Sequence, residues 1–420
     1  MRRIAVGLLL LCGGVVLASA GFSPVTNNGS IGNGFFGRYI RMPLMGGDPA
    51  LLRILPTTSL PSSSGDCDGA AVVGTRGEVV TETRTAVGYC QRSDGVLVEL
   101  PAATPRVTAR GWYMTQGPLT NLLLWNRDWT NPVWTATNMT ATLTSSGRTG
   151  ITNSATVLTA TAANATITQG ITRASNLNQA SVSVRRLTGT GNVQMTRDGA
   201  AFTTLTSSRC KDPVTRAATA INSSTWVVCG LQTTSTNPID GIRLVTSGDS
   251  IEVDLFFDAN SGVATSTPIA TQGTAVASSV DQASTPQPAA MNTAAGCWAA
   301  HVECHANYGL DILTSPGGGA LQFGDYGGSR FVEYDTGQAH VATTSAFTSV
   351  IAPNPGADVI GTWSTADGLM TVRRDNGTAA TAVYTNGMAR KTSLWISSGS
   401  TGDCYYSNIR MGTTTTACDQ

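Results

Sequence analysis

Apolar and polar residues alternate strictly over several stretches of the chain. In Ala180-Ser-Val-Ser-Val-Arg-Arg-Leu187, Ala180, Val182 and Val184 fall on one side and Ser181, Ser183 and Arg185 on the other. Ile251, Val253, Leu255 and Phe257 repeat the pattern. A period of two is the side-chain period of a strand, so both stretches predict half-buried strands. Thr225-Trp-Val-Val-Cys229 reads as a further strand, and 297–303, 319–324, 330–334, 369–374, 392–397 and 405–411 are strand candidates in the C-terminal third. Asp94-Gly95, Asp375-Asn376-Gly377 and Thr385-Asn386-Gly387 are hairpin signals. Short strands divided by Gly, Asn and Ser turns predict sandwiches, not alternating β and α units. The 46 glycines and the abundance of Thr and Val agree, because β-branched side chains are stiff at χ1 and fit strands.

This pattern divides the chain. Residues 1–20 read as a secretory signal peptide: Arg2 and Arg3, an apolar run Ile4 to Leu17, and Ala18-Ser19-Ala20 as cleavage site. Residues 21–66 are a Gly/Pro-rich arm or linker, and 67–106 a small β collar. A first sandwich is expected over 107–279, a Pro/Ala/Ser linker over 280–296, and a second sandwich over 297–420. Charge adds an exclusion. Only 12% of residues are charged, with 26 basic and 26 acidic side chains. A nucleic-acid binder that works through a basic face is therefore not expected.

Signal cleavage removes Cys12 and leaves eight cysteines: Cys67, Cys90, Cys210, Cys229, Cys297, Cys304, Cys404 and Cys418. An even number in an exported chain predicts disulfides. Cys67 with Cys90 and Cys210 with Cys229 suggest local staples. The last four allow three connectivities. Bridges from the Cys297/Cys304 segment to the Cys404/Cys418 segment are favoured, since the first and last strands of a jelly roll commonly lie side by side.

The run TRTAVGYCQRSDGVLVELPAATPRV, followed by GPLTNLLLWNRDWTNPVWTATNMT, resembles a module frequent in tailed-phage fibre and tail proteins. The residues that carry the likeness are Thr83, Arg84, Tyr89, Asp94, Gly95, Val96, Pro105, Arg106, Thr120, Asn121, Leu122, Leu123 and Trp134. SVSVRRLTGTGNVQMTRDG, STWVVCGLQ and GIRLVTSGDSIEVDLFF look like the rest of its carbohydrate-binding-module-like jelly roll. GTWSTADGLMTVRRDNG and SLWISSGSTGDCYYSNIRM are similar to concanavalin A-like, laminin-G-type sandwiches. The resemblance implies two jelly-roll β-sandwich domains in tandem and contact with a surface polysaccharide or glycan. A virion location is implied only if the chain is phage-encoded. The export signal and the cysteines depart from a virion protein and point to a secreted or extracellular-surface protein.

Few residues suggest chemistry. Glu252-Val-Asp254 and Glu333-Tyr-Asp335 approach the spacing of concanavalin-like glycosidases, but Phe257 and Gln338 stand where a third acid is needed. No enzyme is expected, and a polysaccharide-degrading hydrolase is the alternative. A structural fibre or virion component is the other alternative. Cys297-Trp-Ala-Ala-His301-Val-Glu-Cys304-His305 holds metal-ligand types at a spacing that matches no common zinc module. No metal or cofactor is expected there, while a structural calcium and a homotrimer stay open. No partner nucleic acid is expected, and no membrane after signal cleavage. Trp134, Trp226 and Trp395 are read as core. Trp125, Trp129, Asp325, Tyr326 and Arg330 are the candidate glycan contacts, since an aromatic ring stacks on a sugar while Asp and Arg bind hydroxyls.

Overall fold

The computed structural model describes residues 52–56, 67, 72–74, 79–82, 84–108, 111–114, 120–174, 176–215, 217–258, 268–277, 282–286 and 295–305. Beyond 320 it describes 366, 418 and the strands between Leu321 and Gly412. The signal segment 1–20 and most of the arm, 21–51 and 57–66, lie outside the described residues. The fold is all-β, as the alternation predicts.

The first sandwich is built from two antiparallel sheets. The six-stranded sheet runs Met139–Ser145, Ala155–Ala160, Ser250–Asp258, Asn176–Thr188, Val227–Ser235 and Cys210–Lys211 in spatial order. The five-stranded sheet runs Phe202–Thr204, Val193–Thr196, Ile239–Leu244, Ala165–Gly170 and Thr135–Thr137. Alternate residues of both sheets meet in one core, including Leu158, Ile167, Val182, Val184, Met195, Ile242, Leu244 and Val253. The Cys210–Cys229 disulfide joins register partners at the sheet edge, with Cys229 in the core.

Segment 121–126 is pinned over one end of this sandwich. Asn121 and Asn126, both fully buried, each donate from Nδ2 to the carbonyls of Phe256 and Ile269 at 2.8–3.0 Å. Leu123 follows into the core. Asn121 and Leu123 are thus architectural members of the motif seen in the sequence.

The collar hairpin, Gly88–Gln91 with Leu97–Leu100, turns at Gly95, whose φ is +86°. Cys67–Cys90 staples it. Arg84 is 3% exposed and gathers loop carbonyls. Its Nη2 donates to the Pro101 and Thr104 oxygens, each at 2.8 Å, its Nη1 to the Ala86 oxygen, and its Nε to Glu82 at 3.2 Å. Arg106, fully buried, donates to the Tyr89 oxygen at 3.1 Å and lies over the Tyr113 ring. Trp112 Nε1 donates to Glu82 at 3.2 Å. Burial lifts the Glu82 carboxyl above its ordinary value, against the pull of Arg106 and Arg84.

The collar also covers part of the six-stranded sheet. Leu255 adopts φ +52° at a bulge, where Ser181 and Ser183 pair with Phe257 and Asp254. One extra residue turns the side chain outward, and Leu255 packs with Tyr89 and Leu97 of the collar. Ser181 and Ser183, expected on a wet face, are 6% and 3% exposed for this reason. Arg148 fixes the seam, donating to Gln91 Oε1 at 2.9 Å and Ser183 Oγ at 3.3 Å.

The strand pairings refine the linear division of the chain. Gly111–Met114 and Leu52–Pro56 both pair with the Asp403–Gly412 strand, the latter falling in the stretch read as an arm. Val79–Glu82 pairs with Gln282–Pro286, inside the stretch read as a linker, and that strand pairs with Ser393–Ser397. Apart from the collar hairpin and the four strands between Leu321 and Ile351, the described strands before residue 115 and after 281 therefore share one sheet, and the first sandwich is inserted between them. Local patterning cannot show such pairing, because the partners lie about 200 to 360 residues apart. Cys297–Cys418 closes the C-terminal part, and Cys304 is the register partner of Cys404. Leu321–Gly324, Arg330–Asp335, Gln338–Thr343 and Ala346–Ile351 form a separate four-stranded sheet.

Candidate functional site

Trp129 is not a ligand contact. It is 1% exposed, stacked on Trp134 and Phe256 inside the core. Its polar sequence neighbours are misleading, because the loop folds inward. The backbone N–H of Trp129 donates to Thr156 Oγ1 at 2.9 Å and its Nε1 to the Asn126 oxygen at 3.1 Å. Trp134 fills the core as expected. Trp125 is half-buried and holds φ +49°, unusual for an aromatic residue. Its N–H donates to the Gln272 oxygen at 3.0 Å, and its own carbonyl accepts from Trp134 Nε1 at 3.2 Å. The neighbouring loop 272–275 is exposed. Asp325 and Tyr326 lie outside the described residues; Arg330 opens the Arg330–Asp335 strand, with its side chain outside them. Trp395 lies on Ser393–Ser397, its side chain likewise outside.

Trp226, expected in the core, stands half-buried at the surface just before the Val227–Ser235 strand. It extends a row across the outward face of the six-stranded sheet. In that row Thr142 pairs with Val157, Val157 with Glu252 and Glu252 with Arg185. The Arg185 guanidinium lies 5.1 Å from the centroid of the Trp226 ring. It donates from Nε to Glu252 Oε2, whose other oxygen accepts from Ser145 Oγ at 2.8 Å. Polar, exposed Ser223, Ser224 and Thr225 precede Trp226 in the chain.

The outward face of the five-stranded sheet carries a second set. Thr204, Gln194, Arg243, Thr166 and Thr137 are successive register partners, and Phe202, Thr196, Gly241, Thr168 and Thr135 form the next row. Arg243 lies over the Phe202 ring at 4.2 Å, and its Nε donates to Gln194 Oε1 at 2.6 Å. Gln194 Nε2 donates in turn to Thr204 Oγ1 at 3.0 Å. Sequence reasoning missed both Arg–aromatic pairs, since each depends on strand register. Outward parity in an alternating strand was the one available signal.

The carboxylates once weighed as a catalytic pair are both engaged by arginine. Glu252 is held by Arg185, and Asp254 by Arg127 Nε at 2.7 Å and by the Arg148 backbone N–H at 2.8 Å. Burial raises the Asp254 carboxyl above the ordinary range, with the two guanidiniums acting against it. The side chains of Glu333 and Asp335 lie outside the described residues. Cys297, weighed as a metal ligand, is bonded to Cys418 and cannot bind a metal as a thiolate.

No protein-family model and no curated protein matches the chain. Among solved structures it is similar to a sialidase at 11% identity and TM-score 0.25, over 32% of this chain and 14% of that one. It is similar to the N-terminal CBM22-1–CBM22-2 tandem domain of Paenibacillus barcinonensis Xyn10C at 10% identity and TM-score 0.23. That match covers 71% of this chain and 98% of the other. The full extracellular region of zebrafish Gpr126/Adgrg6 follows at 9% identity and TM-score 0.20, over 66% and 36%. At these identities and scores the likenesses assign neither a family nor an activity.

Proposed function

We propose that this is an exported, non-catalytic glycan-binding protein whose first sandwich meets the ligand. The observation that supports it is the half-buried Trp226 ring beside Arg185 on an outward sheet face, next in the chain to exposed Ser223, Ser224 and Thr225. An indole face stacks on the C–H face of a sugar, while Arg and Thr bind its hydroxyls. The three disulfides among the described residues fit an oxidising compartment. Binding of this kind involves no bond breaking, in keeping with carboxylates already held by arginine. A glycan array tests the reading. The protein is expected to retain a defined set of glycans, and Trp226→Ala to lose about tenfold or more in affinity with its melting temperature held. Retention of no glycan by a protein that forms a stable trimer would instead favour a structural fibre component.

A further inference from the structure

We propose that the outward face of the five-stranded sheet is a second binding face, and that it takes an acidic glycan through the guanidinium of Arg243. The inference rests on the glycan-binding reading of this sandwich but on a different sheet. Five of the sandwich's other described arginines pair with a carboxylate, which separates them from Arg243. Arg148 is held by Gln91 and Ser183, and Arg209 lies in the Ser207–Arg209 turn, off the five-stranded sheet. Arg127 pairs with Asp254, Arg173 with Asp258, Arg185 with Glu252, Arg186 with Asp249, and Arg197 with both Asp240 and Asp258. Arg243 has no carboxylate partner among the described residues. Its Nε donates to the neutral Gln194, and its Nη1 and Nη2 make no hydrogen bond there.

The guanidinium is nonetheless held in place. Phe202 supports its plane at 4.2 Å, and the chain from Arg243 through Gln194 to Thr204 fixes its Nε edge. That leaves the Nη pair as a prepositioned fork, the geometry that matches a planar carboxylate with two parallel hydrogen bonds. Arg243 sits on the central strand of the sheet. Thr166 and Thr137 lie to one side of it and Gln194 and Thr204 to the other, each half-exposed or exposed. Strands about 4.8 Å apart make this row about 19 Å long, room for a few sugar units whose hydroxyls meet the threonines. Asp198 lies two residues beyond Thr196 on the adjacent strand. Its carboxylate accepts from the Ala200 and Ala201 amides at 2.9 and 2.7 Å, so it is occupied locally.

The experiment is a titration of the full mature chain with three polymers: polygalacturonate, its fully methyl-esterified form, and dextran sulfate. Polygalacturonate is expected to bind at least about tenfold more tightly than its ester. Arg243→Gln is expected to remove that preference, and Arg243→Lys to restore only part of it, because an ammonium lacks the fork. Preference for dextran sulfate alone, lost in Arg243→Gln, supports the same oxyanion recognition with sulfate as its source. Equal binding of acid and ester, or an unchanged preference in Arg243→Gln, overturns the proposal. Trp226→Ala separates the two readings. If it abolishes ester binding while no polymer depends on Arg243, this inference fails and the glycan reading stands. If wild type binds none of the three polymers, this inference falls, and the glycan array alone decides the glycan reading.

Discussion

Trp129 and Trp134 lie face to face in the core of the first sandwich, ring centroids 4.2 Å apart and planes within 4°. Phe256 completes the stack at 5.4 Å from Trp129 and 6.0 Å from Trp134. Truncating a fully buried aromatic removes its transfer free energy and leaves a cavity. Trp129→Ala is therefore expected to cost about 3–5 kcal/mol, measured as a fall in the midpoint of urea unfolding. Trp226→Ala, at the surface, is expected to move that midpoint little. Equal losses for the two would mean that the burial contrast between them is wrong.

Arg84 makes a second contrast. A 3%-exposed guanidinium satisfies carbonyls of Ala86, Pro101 and Thr104 together with the Glu82 carboxylate. Arg84→Ala leaves Glu82 buried with less positive charge and strands the carbonyls, a loss of about 3–5 kcal/mol. Arg84→Lys recovers little of it, since three donors on one point charge cannot replace a planar fork. Limited proteolysis is expected to cut Arg84→Ala first near Pro101–Thr104. Wild-type resistance there would argue that the clamp is dispensable.

Much of this was legible in the chain. Alternation in Ala180–Leu187 named the inward residues Ala180, Val182 and Val184 correctly. The Asp94-Gly95 tip gave its hairpin, and the cysteine spacing gave the two local disulfides. What escaped notice depends on distant partners. The buried Trp129 looked exposed because Arg127, Asp128 and Thr130 surround it in sequence. Trp226 looked internal because the apolar Val227 and Val228 follow it. The bulge that turns Leu255 toward Tyr89 leaves no mark in an otherwise regular alternation. Arg243 and Phe202 are 41 positions apart and meet only through three strands in register.

The disulfides should differ in weight. Cys297–Cys418 closes a loop with a sequence separation of 121, and Cys210–Cys229 one of 19. If cross-links act by restricting the unfolded chain, removal costs about 5 kcal/mol for the first and about 3 for the second. Paired Cys→Ser variants, compared by denaturant unfolding monitored at both sandwiches, check this. A larger loss for Cys210/Cys229 would show that packing of Cys229 in the core outweighs chain entropy.

The last prediction concerns pH. Asp240 and Asp258 are both fully buried, beside Arg173 and Arg197. Asp258 accepts from Arg173 Nη1 and from Arg197 Nη2, the latter at 3.0 Å, while Arg197 Nε lies 2.8 Å from Asp240. Burial, and then the neighbouring Asp258 charge, hold the Asp240 carboxyl well above its ordinary value. A carboxyl whose folded value is raised binds its proton more tightly in the folded state. Its contribution to stability is fully present below the unfolded value and is lost as pH rises through the folded one. Asp240→Asn, uncharged at every pH, is therefore expected to abolish that decline and to cost little at neutral pH. Asp258→Asn removes the carboxylate that both arginines share and is expected to cost about 3–5 kcal/mol. Unfolding free energies measured from acid to mildly alkaline pH on the three proteins decide the matter. A wild-type curve that rises through this range, or an Asp240→Asn curve parallel to it, would remove Asp240 as the titrating group.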